Sequence, residues 1–326
     1  MNDITAPLAI TMGDPAGCGP AITAAAWTEL RSEAAPFFVV GAPALYSERC
    51  PVAEIRDPGE AARAFTDALP VLPLAMEAVP SPGEPDASTA PAILQSIETA
   101  VALCLEGTSA GVVTNPINKA LLYGAGFNHP GHTEFIADLC GSATPPVMML
   151  TAGRLRVALA TIHLPLREVP DALTIEGLIQ TARIVQGDLK RRFGLEHPRI
   201  AFSGLNPHAG ESGTIGREEA DIINPAASAL RAEAIDVTDA RPGDTVFREA
   251  LHVPYDAVIA MTHDQGLIPI KLIDFWGGVN TTLGLPIVRT SPDHGTAYDA
   301  AAQGIARADS LIAAIRLAAD MAARRG

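Results

Sequence analysis

The chain has 326 residues, 48% hydrophobic and 18% charged, which is ample material for a buried core and no signature of disorder. Its 23 Lys and Arg against 37 Asp and Glu give a net charge of −14, which excludes a general nucleic-acid binder built on a basic stripe. As a prior, the length fits one large domain or two ordinary ones.

Residues 8–11 read as a first strand, followed by the glycine loop Met12-Gly13-Asp14-Pro15-Ala16-Gly17-Cys18-Gly19-Pro20. The loop lacks the GK[ST] of a phosphate-binding loop, and Ile22 stands where the third glycine of a dinucleotide fingerprint belongs. It therefore reads equally as a tight structural turn and as a cofactor contact outside the Rossmann pattern. A strand follows at 36–40, and the proline-rich stretch 70–91 reads as a loop. A helix is predicted over 91–106, with Ile93, Leu94, Ile97 and Val101 on one face, Thr89 as its N-cap and Gly107 as its stop. Strand-length apolar runs recur at 111–114, 147–150, 156–161, 199–203 and 257–261. The last helix, 310–323, repeats Leu311, Ile315, Ala318 and Met321 behind Asp309 as a cap. This alternation signals an α/β fold with a largely parallel sheet.

Cys18, Cys50, Cys104 and Cys140 lie far apart without a CxxC pair, and so read as the reduced thiols of a cytoplasmic protein. Met1-Asn2-Asp3 places an acid where a signal peptide would carry a cation. Charges, prolines and glycines interrupt the apolar runs before the roughly 18 residues a membrane span needs, so no membrane partner is expected. Lysine is scarce, present only as Lys119, Lys190 and Lys271, and Lys190 sits beside Arg191 and Arg192 in a run that reads as a solvated helix end.

Four times a strand runs directly into a polar loop: at 112–119, at 158–163, at 202–208 and at 259–264. Ligands of open parallel sheets bind outside the carboxyl ends of the strands. His163, His208 and His263 each stand at such an end. One histidine there reads as a hydrogen-bonded strand end; three in the same topological position point to an open divalent-metal site. A second constellation suits an anion. Gly131-His132-Thr133-Glu134 opens a helical run at about Thr133, where unpaired N–H groups favour a phosphate or carboxylate and where Thr133 also reads as a simple cap. Lys271, Asn280 and Arg289 follow the His263 strand and include two of the few available cations.

Taken together, the segments ITMGDPAG, TNPINK, HPGHTEF, ATIHLPL, GLNPHAGESG, GDTVF, HDQGLIPIK and GVNTTLGLPIVRTSPDHGTA resemble the 4-hydroxythreonine-4-phosphate dehydrogenase family of pyridoxal phosphate biosynthesis, over nearly the whole chain. The resemblance implies a two-domain α/β/α sandwich like isocitrate and isopropylmalate dehydrogenases, with a cleft between domains. The first domain would hold 1–130 plus 280–326, on the nucleotide-binding side, and the second 131–279, with the metal and the interface of a homodimer. It further implies His163, His208 and His263 as ligands of one divalent metal (zinc, magnesium, cobalt or similar), one of them reaching in from the partner. His132, Thr133, Lys271, Asn280 and Arg289 match the substrate-binding positions, and His294 and Gly295 the loop that seats NAD or NADP. The implied reaction is oxidation of 4-phosphooxy-L-threonine to 2-amino-3-oxo-4-phosphooxybutanoate. The resemblance names no general base; Asp244 and Lys119 are candidates by chemistry. Ala21 and Thr262 depart from the family's usual Glu and Tyr, and Trp276 falls in a variable stretch. The rival readings are a paralogue acting on another hydroxy acid, such as a threonate or erythronate phosphate, and a metabolite-binding protein without turnover.

Overall fold

The computed structural model describes residues 6–324 apart from Ala34, Ala125, Pro130, Val253 and Pro254. The expectation resting on Met1-Asn2-Asp3, and Pro130 of the HPGHTEF segment, lie outside the described residues. The chain forms two compact units. The first takes in the described residues of Met1–Pro146 and Leu285–Ala323, the second those of Val147–Gly284 and Arg324–Gly326.

The first unit begins with β1 (Leu8–Thr11), α1 (Gly19–Leu30), β2 (Phe37–Gly41), β3 (Val52–Glu54), α2 (Ala61–Ala64) and β4 (Leu69–Pro73). It continues through α3 (Ala90–Leu105), β5 (Val112–Val113), α4 (Lys119–Gly124) and α5 (His132–Leu139). The second unit supplies β6 (Val147–Ala152), β7 (Leu155–Leu159), α6 (Val169–Ala172), α7 (Ile175–Phe193), β8 (Ile200–Phe202), α8 (Asn224–Ala232), α9 (Gly243–His252), β9 (Ala257–Ala260), α10 (His263–Ile273) and β10 (Val279–Leu283). The chain then returns to the first unit with β11 (Arg289–Pro292), α11 (Tyr298–Gln303) and α12 (Asp309–Ala323).

In the first unit the strands run β3-β4-β2-β1-β5-β11, all parallel. β1 and β2 are buried at every position, which explains their continuous apolar runs. In the second unit the order is β10-β6-β7-β9-β8, with β7, β9 and β8 mutually parallel and β10, β6 and β7 antiparallel. The period-2 alternation of its strands sorts two cores. Met149, Ala158, Phe202 and Ile259 pack with α7 and α8, while Leu150, Val157, Ala201 and Val258 pack with Val246 of α9 and Ile270 of α10. The second unit is therefore an α/β/α sandwich.

Several local expectations change. β4 forms inside the stretch read as loop, because Pro70 and Pro73 still pair in register with Ala53 and Gly41. Thr89 holds the N-cap position of α3 with helical backbone angles and no capping hydrogen bond from its side chain; Asp86 accepts from Ser88 N at 2.9 Å one turn earlier. Gly131, not Thr133, holds the N-cap position of α5, and Asp309 lies inside the first turn of α12. Residues 131–146 group with the first unit because α5 packs on α3, and 280–284 group with the second because β10 pairs with β6. Ala87–Leu105 makes a 19-residue helical stretch of mean hydropathy 1.3, long and apolar enough to cross a membrane, contrary to the sequence reading. Its face of Ile93, Ile97, Ala100 and Val101 is buried, and the helix packs on β1 and β2, so core packing accounts for the apolarity.

Candidate functional site

The parallel strands β7, β9 and β8 finish on one edge of the second unit, and their loops carry the three histidines. Thr161 Oγ1 donates to Met261 O at 2.6 Å, which ties the end of β7 to the end of β9. The rings of His163 and His263 consequently lie 5.5 Å apart, centroid to centroid. Both border a cavity of about 370 Å³, with Thr161, Val169, Thr262 and Asp264 among its walls. Thr262, the departure from the family's tyrosine, caps α10 by accepting from Gln265 N at 3.3 Å. Gln265 then accepts from Met261 N at 2.8 Å and donates to Gly204 O at 2.7 Å, so one side chain joins the β9 end to the loop after β8.

Asp264 Oδ1 lies 2.8 Å from His263 Nδ1. An ionised carboxylate only accepts, so Nδ1 carries the hydrogen and the lone pair of Nε2 is left for a metal. That donor set suits a divalent cation.

His208 stands apart in character. It is exposed and opens a turn in which His208, Ala209, Gly210, Glu211 and Ser212 all have positive φ, from 43° to 76°. Four of the five are not glycine, and each such residue costs about 1 kcal/mol or more in the left-handed region. Among the described residues no group of three His, Cys, Asp or Glu gathers closely enough to hold an ion within one chain. The structure thus brings together two of the three predicted ligands.

In the first unit, Arg289 opens β11 and is 2% exposed. Its Nη2 donates at 2.7 Å to Thr114 Oγ1, just beyond β5, the strand with which β11 pairs. Burial pushes this guanidinium down to about 10, partly opposed by the nearby Glu134 carboxylate, and leaves it cationic near neutrality. His132 is held well below the usual imidazole range, first by burial and then by Arg289 and Lys119, so its ring is neutral. Its Nε2 is buried and has no hydrogen-bond partner among the described residues. Lys119 Nζ and Glu134 Oε2 crowd Gly131, where a Cβ would fall 3.1 and 3.2 Å from them. No side chain caps α5, and Thr133 is buried in its first turn. Two cations, a neutral imidazole with an unused nitrogen and an open helix start, with the Glu134 carboxylate as an opposing charge, make a nest that suits an anion.

The other predicted residues divide between the units. Lys271 Nζ, in the second, lies 5.5 Å over the ring of Phe275, and Asn280 Oδ1 is buried without a hydrogen-bond partner among the described residues. His294 and Gly295, in the first, are exposed on the loop after β11. That loop is held from behind: Cys18 N donates to Thr296 O at 2.8 Å, and Tyr298 OH to Asp14 Oδ2 at 2.5 Å. A Cβ on Gly17 would fall 2.9 Å from Thr296 O. The glycine loop is therefore a structural seat for the 293–298 loop, and the exposed backbone around Gly295 suits a cofactor surface. Asp244 is exposed in the first turn of α9. Sequence reasoning missed Thr114 and Asp264 as supports; each stands beside a predicted residue or at a predicted strand end, which is the signal that would have found it.

The pyridoxal phosphate biosynthetic protein PdxA family matches residues 33–318. A 4-hydroxythreonine-4-phosphate dehydrogenase of Methylorubrum populi is 54% identical, covering 98% of this chain and 95% of its own. One of Caulobacter vibrioides is 52% identical, covering 98% of each. The crystal structure of 4-hydroxythreonine-4-phosphate dehydrogenase from Klebsiella pneumoniae superposes with a TM-score of 0.89 at 39% identity, covering 99% of both chains. The matched stretch takes in every predicted site residue, and the chain belongs to the PdxA family.

Proposed function

We propose that the protein oxidises 4-phosphooxy-L-threonine to 2-amino-3-oxo-4-phosphooxybutanoate with NAD or NADP as acceptor. The β-keto acid then decarboxylates to 3-amino-2-oxopropyl phosphate, on the way to pyridoxal 5'-phosphate. The observation that carries this reading is the buried nest around Arg289, a cation stripped of water in a chain of net charge −14. A phosphate ester is the natural occupant. Arg289 and Lys119 would bring charge to it, His132 Nε2 and the first turn of α5 with Thr133 would supply hydrogen bonds, and Lys271 and Asn280 would contact the rest of the substrate.

His163 and His263 would supply two imidazoles to a divalent ion such as zinc, cobalt or magnesium, and His208 would complete the set across a homodimer. A cation held by these imidazoles would supply Lewis acidity, favouring loss of the substrate hydroxyl proton and the developing carbonyl. Asp264 keeps the His263 ring in the metal-binding tautomer. His294 and Gly295 would face the dinucleotide. Lys119, by its place beside His132, serves the anion and is not the base in this reading. A homodimer accords with the exposed apolar side chains of Ile268, Leu272, Phe275 and Trp276 on and after α10. The four cysteines form no disulfide among the described residues, which accords with a cytoplasmic setting.

The test is a substrate panel read by the absorbance of reduced nicotinamide. Turnover of 4-phosphooxy-L-threonine well above threonate and erythronate phosphates is the expected result. Preference for either of those would make the protein a paralogue, and binding without reduction would make it a metabolite-binding protein.

A further inference from the structure

The turn that carries His208 needs an explanation, since four left-handed non-glycine residues in a run do not persist unless their surroundings hold them. The holding group is a carboxylate. Glu219 is 3% exposed. Its Oε1 accepts from Asn206 N at 2.7 Å and its Oε2 from Asn206 Nδ2 at 3.0 Å, while Glu218 Oε2 accepts from the same Nδ2 at 2.7 Å. Asn206 is thus gripped by backbone and side chain two residues before His208. Inside the turn, Gly210 lies against the same carboxylate: a Cβ there would fall 2.6 Å from Glu219 Oε2 and 2.8 Å from Gly216 O. Glu219 itself sits in a single π-helical turn, Glu219–Ile223, that leads into α8. A glutamine would fill the same space but offers a single acceptor oxygen. What the carboxylate adds is two acceptor oxygens fixed on both sides of the turn.

We propose that Glu219 is a positioning residue for His208, its buried carboxylate bracing the left-handed turn from Asn206 and from beneath Gly210. The proposal rests on the reading of His208 as a metal ligand, and the test separates the two. The variant is Glu219→Gln, with Asn206→Ala as a second that removes the side-chain grip and leaves the carboxylate in place. Hydrogen exchange of the metal-free protein over 204–216 reads the brace directly. Cobalt(II) titration followed by visible absorption reads its consequence.

Exchange across 204–216 should rise at least tenfold in both variants while β8 and α8 keep wild-type protection. Cobalt affinity should fall about 10- to 100-fold, the range that follows when a metal ligand is no longer held in orientation. Unchanged exchange in Glu219→Gln, or in Asn206→Ala should the first not fold, overturns the brace. Faster exchange with wild-type cobalt affinity overturns the link to His208. If the wild-type protein binds no cobalt, the metal reading falls and takes the positioning role with it, whatever the exchange shows.

Discussion

Replacing Arg289 by methionine removes the buried one of the two cations at the anion nest and keeps most of the buried stem. In the structure this guanidinium is desolvated, bonded to Thr114 Oγ1 at 2.7 Å and close to Glu134. A charge-assisted hydrogen bond to a phosphate oxygen in such a place contributes about 1.5–3 kcal/mol. At about 1.4 kcal/mol per factor of ten, KM for the phosphorylated substrate should rise roughly 10- to 150-fold. The dephosphorylated analogue never uses the contact, so its KM should move by less than about threefold. Stability should change little, because the desolvation cost of the charge is relieved while Thr114 Oγ1 and the Glu134 carboxylate lose their cationic partner. Initial rates with both substrates, beside a urea melt of the free protein, measure all three quantities. Equal weakening of the two substrates would refute the phosphate contact and with it the argument from burial.

Three further outcomes follow from the same geometry. His132 has a folded pKa well below its unfolded one, so below about pH 6.5 the unfolded chain binds the extra proton and stability falls with acid. His132→Gln should flatten that slope in urea melts between pH 5 and 8, and an unaltered slope would show the ring is not buried neutral. Asp264→Ala should weaken cobalt binding about tenfold or more by freeing the His263 ring, and unchanged affinity would remove the carboxylate from that role. Gly17→Ala puts a Cβ 2.9 Å from a backbone oxygen that has no side-chain freedom to retreat. It should cost about 1–3 kcal/mol and raise KM for the dinucleotide; a wild-type melt would mean that the 293–298 loop is not seated there.

The strands legible from sequence were those whose apolar runs are buried on both faces, such as β2, β8 and β9. β10 and β11 escaped because VNTTL and RTSP are polar, and what buries them is neighbouring chain that periodicity does not see. β4 was hidden by its two prolines. The histidines were legible because strand ends are local features, and the pairing of His163 with His263 follows from β7 and β9 being neighbours. Apart from the family resemblance, the buried Arg289 was legible only as one of few local cations, since nothing near it in sequence tells of Thr114, 175 residues away, or of its desolvation. The left-handed run at 208–212 gave no signal at all: only one of its residues is glycine, and the carboxylate that explains it arrives later in the chain, at position 219.

Lys119 stands against the start of α5 in a chain that holds three lysines in all. An amine-selective acylating reagent therefore meets three side-chain targets, of which Lys190 is out on α7 and Lys271 leans over an aromatic ring. Occupancy of the first unit can be followed by mass spectrometry as the loss of the Lys119 adduct, with the exposed Lys190 as the internal standard. Such footprinting needs neither turnover nor a chromophore, and would rank candidate ligands before their chemistry is known.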